Sequence, residues 1–274
     1  FRAAKFFTME QTQPEVTAVA VRDGRIVGMG TLEQVTQALA AGSYVVDDRL
    51  EGAFVTPGLI DQHVHPILGA TTLTTEVIAP ERWDMPGRVF AAASSPEEYL
   101  ALLSTANEAM DDPDEWLFTW GYHALWHGPM SRTVLDSISS TRPIGVWQRS
   151  CHEWYLNSAG IERLGITEAD AEGPNAAQMD LPNGHWWENG FFTELLPKVG
   201  PIFMTEARYV AGLNQLVAYL HLHGVTAFNE PGILWDQEPY ALYQQILGRD
   251  DVPILSTFMV DGRSQSQRGL TPQE

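Results

Sequence analysis

The 274-residue chain has one cysteine, Cys151, and only two lysines, Lys5 and Lys198, beside 14 arginines. A lone cysteine cannot close an internal disulfide, which points to a reducing, cytoplasmic setting. No apolar run approaches the roughly 18 residues of a membrane span. No polybasic segment offers a surface anchor either, so no membrane partner is expected. Basic residues number 16 against 35 acidic ones, a formal net charge of −19. Such a surface repels phosphate backbones, and nucleic acid is not an expected partner. The acidity also fits genome composition or a saline habitat, and it gives anionic substrates no general advantage. Neither a GxGxxG nor a Walker loop follows any strand pattern, which counts against a nucleotide-binding fold. The chain opens on Phe1 without Met or a signal-peptide pattern, as expected where a native start is missing.

What is present is globular: 44% hydrophobic and 19% charged residues suffice for a sizeable core. Residues 1–57 read as short strands. A roughly alternating stretch at 16–21 and another at 26–29 flank Asp23-Gly24, a strong hairpin pair. Residues 43–47 and 53–55 add two extended pieces, together a partial β-sandwich module. From residue 58 onward, strands alternate with helices. Strands are expected at 58–65, 116–120, 144–148, 225–229 and 253–260. Ser95-Pro96-Glu97-Glu98 reads as a helix start. A second helix runs from about Thr205 to Gly224 and a third covers 239–247. Repeated strand–helix order means a parallel sheet, and five such strands favour a (β/α)8 barrel of the TIM type over an open sheet. Residues 58–274 would form the N-terminal part of that barrel. Residues 166–204, rich in Gly, Pro and Asn, read as a functional loop excursion over its mouth.

The histidines sort by geometry. In a strand, residues two apart share a face, so Asp61, His63 and His65 point together. Two imidazoles at the C-terminal end of a barrel strand are spaced to hold one divalent metal. Two polar residues at a strand end are the plain alternative, and Pro66 directly after them favours the metal. His221 and His223 lie in a last helical turn and point about 200° apart. They read as charge complements to a helix C-terminus. His152, His123, His127 and Trp126 follow strands and occupy the rim, where His152, His123 and Trp126 are candidates for substrate contact or for supporting the metal ligands. Glu230 ends the fourth expected strand, placed to bind a metal or assist water. Glu194 is better read as a cap or surface group. Trp186 and Trp187, beside His185 in the excursion, together with Trp120, Trp126, Trp147 and Trp154 could line an aromatic substrate pocket, although core packing is the default for each tryptophan. Cys151 has no nucleophile motif around it.

Asp23-Gly24-Arg25-Ile26-Val27, then Val55-Thr56-Pro57-Gly58-Leu59-Ile60-Asp61-Gln62-His63-Val64-His65, resembles the entry to the amidohydrolase superfamily. Arg142-Pro143, Asn157-Ser158-Ala159, Leu164-Gly165-Ile166 and Gly224-Val225-Thr226 are similar to the branch holding N-substituted formamide deformylases and related long-chain amidohydrolases. The resemblance implies a metal-dependent hydrolase with His63 and His65 as ligands of a divalent metal, zinc first, as one or two ions. It implies His152 near the substrate. The family pattern also brings a lysine, two further histidines and an aspartate general base, expected beyond residue 274. Neither Lys5 nor Lys198 matches the lysine's place, and no histidine follows His223. The chain therefore resembles the N-terminal half of a longer enzyme, and a C-terminal segment is expected to complete it. Residues 1–274 alone would leave exposed strand edges and are not expected to fold stably as a monomer. The expected activity is hydrolysis of a C–N bond in an amide, formamide or cyclic imide of a small molecule with an apolar or aromatic substituent. A deaminase, an ester or lactone hydrolase, or a non-catalytic degenerate barrel protein are the alternatives, and a homodimer is compatible with any of them.

Overall fold

A computed structural model describes residues 1–39, 42, 44–233, 237–249, 251–252 and 254–260. Two compact units divide the chain, Phe1–Ile60 and Asp61–Glu274.

In the first unit, strands β1 (Arg2–Phe7), β2 (Glu15–Arg22) and β3 (Arg25–Gly30) precede helix α1 (Leu32–Ala38) and strand β4 (Phe54–Val55). They form one sheet in the order β3-β2-β1-β4. The Asp23-Gly24 hairpin forms as its sequence dictates: both residues have positive φ, 50° and 73°, which matches the right-handed twist of the strands it joins. Helix α1 was not expected. Its start is nonetheless written in the sequence, because Thr31 and Gln34 make a reciprocal capping box. Ala18 and Ala20, two apart on β2, present one face to Val35 of α1. The strand expected at 43–47 is a correction: residues 44–48 have no regular structure, and Ser43 lies outside the described residues. The Asp47 carbonyl, accepting from the Arg2 N–H at 3.1 Å, and the Asp48 carboxylate, accepting from Arg2 Nε at 2.6 Å, tie this stretch to β1.

Strand β5 (Leu59–Asp61) ends the first unit and opens the second. There follow α2 (Pro66–Leu73), β6 (Glu76–Val77), the hairpin β7 (Trp83–Met85) and β8 (Arg88–Phe90), and α3 (Pro96–Glu108). Next come β9 (Leu117–Tyr122), α4 (Ala124–His127), α5 (Arg132–Ile138), β10 (Ile144–Gln148), β11 (Glu153–Leu156) and α6 (Ser158–Arg163). Strands β12 (Met179–Asp180) and β13 (His185–Trp187) lead to α7 (Leu196–Phe203) and α8 (Glu206–Leu222). Strand β14 (Val225–Ile233), α9 (Gln237–Leu247) and β15 (Leu255–Val260) complete the described chain.

The five expected barrel strands do not share a sheet, and no closed barrel is present among the described residues. Strands β6, β9 and β10 belong to a six-stranded sheet, order β12-β13-β11-β10-β9-β6, whereas β15-β14-β5 is a separate three-stranded sheet. The six-stranded sheet is mixed: β6, β9 and β10 are parallel, but β11, β13 and β12 pair antiparallel. The supposed excursion at 166–204 is thus largely ordered structure that extends this sheet by two strands. Hydrophobic periodicity identifies a strand without saying which neighbour it pairs with, and that is where the expectation failed.

Strands β9 and β10 are buried along their whole length, because both faces of the sheet are covered. Tyr99 and Leu103 of α3 with Leu135 of α5 fill one side, and Phe203, Leu213 and Leu220 belong to the core on the other. Trp120, Trp147, Trp154 and Trp186 are core residues, at most 8% exposed, as their default reading has it. Gly212 lets α8 approach α2: a Cβ there would sit 2.1 Å from the Ala70 carbonyl oxygen. Two family-like positions are internal staples. Buried Arg142 donates to the carbonyls of Met110, Asp112 and Glu115 and to Asn107 Oδ1, tying the end of α3 to the start of β10. Asn157, wholly buried, joins β10, α6 and the 139–142 turn through four hydrogen bonds.

Candidate metal centre

Strand β5 stops at Asp61, shorter than the expected 58–65, so the two histidines lie just beyond it. The chain bends at Gln62, and His65, with φ −98° and ψ 91°, caps α2, with Pro66 at the first helical position. Both imidazoles nonetheless come together beyond the strand end. Their Nε2 atoms are 3.3 Å apart and the rings meet edge to face. Asp61 is not a third member of this group. Its Oδ1 accepts from the His63 backbone N–H at 3.0 Å and steadies the turn out of the strand.

Glu230 arrives from β14. The Val64 N–H donates to the Asn229 carbonyl at 3.0 Å, which aligns the segments, and Glu230 Oε1 lies 2.9 Å from His65 Nδ1. Glu230 is 4% exposed and also accepts from the Gly232 N–H at 3.1 Å. An ionised carboxylate only accepts, so it holds the proton of His65 on Nδ1 and leaves the Nε2 lone pair free. Behind it, burial and then the Glu230 charge push the Tyr243 phenol well above its ordinary pKa.

The two ring nitrogens have the spacing of two of the ligands of a divalent ion. Two nitrogens each about 2.0–2.1 Å from a tetrahedral zinc stand roughly 3.3 Å from one another. The histidines already have that separation. Among the described residues, no group of three or more His, Cys, Asp or Glu side chains surrounds a single point.

The other candidates have their own partners. His152 Nδ1 pairs with Glu188 at 3.2 Å and its ring meets Phe192 edge to face. His123 caps α4, its Nδ1 accepting from Leu125 N–H at 3.1 Å, and it packs on Trp126. The Arg149 guanidinium lies 5.8 Å from the Trp126 ring and makes two hydrogen bonds to Glu81. None of His123, Trp126 or His152 has a hydrogen bond or ring contact with His63, His65 or Glu230 among the described residues. Sequence reasoning missed Glu188. It lies 36 residues from His152, and its unusual φ of 47° leaves no mark in the residue pattern. Glu194 accepts from Asn175 Nδ2 at 2.7 Å, a structural role. Cys151 is largely buried, and burial pushes its thiol up to about 11, far from a nucleophile at neutral pH.

His127 and His185 are held neutral. The His127 Nδ1 accepts from the His123 N–H and its Nε2 donates to the Ala93 carbonyl at 2.7 Å. Burial lowers its pKa, and it lowers that of His185 despite the opposing pull of Glu153. In the unfolded chain both would protonate near the ordinary 6.5. The stability tied to the neutral rings is therefore complete above about pH 6.5 and is lost progressively as pH falls below it. Urea unfolding should show a lower midpoint at pH 5.5 than at pH 7.5. An unchanged or higher midpoint at pH 5.5 would contradict this.

The family model that matches residues 45–266 is that of the amidohydrolase family, and the chain belongs to it. It is 30% identical over 159 residues to N-substituted formamide deformylase of Arthrobacter pascens, covering 54% of this chain and 26% of that protein. To the exoenzymes regulatory protein AepA of Pectobacterium carotovorum subsp. carotovorum it is 27% identical, over 69% of this chain and 37% of that one. To protein LONG AFTER FAR-RED 3 of Arabidopsis thaliana it is 24% identical, over 65% and 28%. Among solved structures, an uncharacterized metal-dependent hydrolase from Pyrococcus horikoshii shares the fold with a TM-score of 0.66 at 18% identity, over 97% of this chain and 50% of that one. A counterpart from Pyrococcus furiosus gives 0.63, also at 18% identity and with the same coverage. The chain thus spans between 26% and 37% of the curated relatives' length and half of the solved chains. No described helix is long and apolar enough to cross a membrane.

Proposed function

We propose that this is part of a metal-dependent hydrolase that cleaves a C–N bond of an amide, formamide or cyclic imide, with His63 and His65 as ligands of a zinc-like ion. The observation that carries the reading is the 3.3 Å approach of two Nε2 atoms, one of them oriented by a buried carboxylate. Family membership and the printed activity of the Arthrobacter relative support the reaction class. A divalent ion in this place supplies electrophilic polarisation of a scissile carbonyl and acidifies water. His63 and His65 bind and orient. Glu230 keeps the His65 proton on Nδ1 and strengthens Nε2 as a donor. Strands β5, β14 and β15 are the first three strands of the barrel in this reading, and the mixed α/β region between β5 and β14 is an insertion. Trp126 and Phe192, 38% and 40% exposed, offer apolar surface for a substituent, with His123 and His152 beside them.

Glu230→Gln tests the arrangement, since an amide can present a donor to Nδ1 and release the tautomer. Zinc affinity, measured by competition with a chromogenic chelator, should fall by about 10–100-fold. In parallel, amine release from N-benzylformamide or acetanilide, and ring opening of a cyclic imide to its half-amide acid, should depend on added zinc or manganese. Turnover confined to esters or to amine-bearing heterocycles would replace the proposed substrate class. Unchanged zinc affinity in Glu230→Gln would remove Glu230 from the site.

A further inference from the structure

We infer that the second unit has a separate binding pocket for a small carboxylate with an apolar or aromatic body, built around Arg208 at the far end of α2 from the histidines. His65 caps the start of α2, whereas Thr74 lies just past its end, about 12 Å along the axis. There a cavity of about 460 Å³ opens between the edge of the six-stranded sheet and α8. That volume is in the range of small-molecule sites.

Its walls divide by chemistry. Trp116, Phe118, Leu73 and Met110 give an apolar side. Arg208 gives the charge. Its guanidinium donates from Nη2 to the Thr74 carbonyl at 2.8 Å and lies 5.5 and 5.7 Å from the Phe118 and Phe203 rings, which fixes its position. No carboxylate forms an ion pair with it among the described residues, and its buried Nε has no hydrogen-bond acceptor there. Most other described arginines in this unit are spent: Arg88 on Glu76 within the same cavity, Arg82, Arg149, Arg163 and Arg249 on acids, Arg142 on carbonyls. Arg208 stays charged at any working pH, although burial lowers its pKa. A half-buried guanidinium with donors to spare is a costly arrangement that an anion relieves. Glu115, whose charge acts on Arg208, also borders the cavity, but it is exposed and free to face water. Since Glu76 is neutralised by Arg88, one bound carboxylate meets no uncompensated acid other than Glu115. The apolar wall then selects an aryl or alkyl carboxylate over a bare inorganic anion.

The test is isothermal titration calorimetry of the full chain with 3-phenylpropionate and with its neutral isostere 3-phenylpropionamide. The acid should bind at least about tenfold more tightly than the amide. Arg208→Gln should remove that preference. Ala211→Phe, on an exposed position of α8 lining the cavity, keeps Arg208 in place and should weaken both ligands about tenfold or more by filling the space. The His63→Ala, His65→Ala double variant should bind the acid as the parent does, which separates this site from the metal centre. Equal affinity for acid and amide, no binding of the acid up to 10 mM, or acid binding untouched by Ala211→Phe would each overturn the inference. Loss of acid binding in the double histidine variant would instead assign the ligand to the metal centre and overturn it too.

Discussion

Replacing His63 and His65 together by alanine is expected to abolish tight zinc binding, with a loss well beyond the 10–100-fold that removing a supporting partner costs. Both rings are exposed in this structure, so their removal opens no cavity. The single substitutions should differ in stability. His63 contributes a backbone hydrogen bond to Asp61 that alanine retains, and His63→Ala should leave the unfolding midpoint nearly unchanged. His65 is the side-chain partner of buried Glu230, and His65→Ala leaves that carboxylate with the Gly232 N–H alone. About 1–3 kcal/mol of destabilisation should follow without metal. Chelator competition and urea unfolding on the same samples read both effects. Equal metal affinity in parent and double variant would place any bound ion elsewhere.

The largest stability effect is expected at Asn157. Its Oδ1 accepts from the Ile144 and Gly160 N–H groups, both at 2.9 Å, and its Nδ2 donates to the Ser139 and Arg142 carbonyls, both at 2.8 Å. Asn157→Ala deletes all four bonds in a place with no exposure, and water has no route to replace them. Each orphaned buried group costs about 1–3 kcal/mol, and the N-cap of α6 disappears with them. Partial relaxation reduces the sum, leaving an expected loss of about 4 kcal/mol or more, a large part of a typical domain's stability. A urea midpoint within the equivalent of about 1 kcal/mol of the parent would show that the network carries little.

Much of this could be read from residue order. The Asp23-Gly24 turn, the Ser95 and Thr205 caps, and the stop at Gly224 rest on local chemistry, and each forms where its residues say. The His63–His65 pairing was also legible in the two-residue spacing, although the strand that spacing assumed ends at Asp61. Glu230 stood out only as the acid near the end of a strand. Its place against His65, 165 residues away, needed the three-stranded sheet. What sequence could not supply was strand partnership. Residues 116–122 and 144–148 have the continuous apolar texture of barrel strands, and the mixed sheet they join buries both faces equally well. Antiparallel β11 and β13 pair across residues 153–187, a contact that no periodicity encodes. The same limit explains the tryptophans: an indole in a core and an indole in a pocket look alike until the packing is known. Asn157 and Arg142 appeared first as parts of a family-like pattern, and only their hydrogen bonds show why those residue types are required there.

The most direct test of the proposed metal centre is zinc K-edge X-ray absorption on the zinc-loaded full chain, compared with the His63→Ala, His65→Ala variant. The parent spectrum should show at least two imidazole ligands at about 2.0–2.1 Å. The variant should lose them along with most of its zinc. Identical spectra and zinc content in the two proteins would contradict the assignment of His63 and His65 as metal ligands.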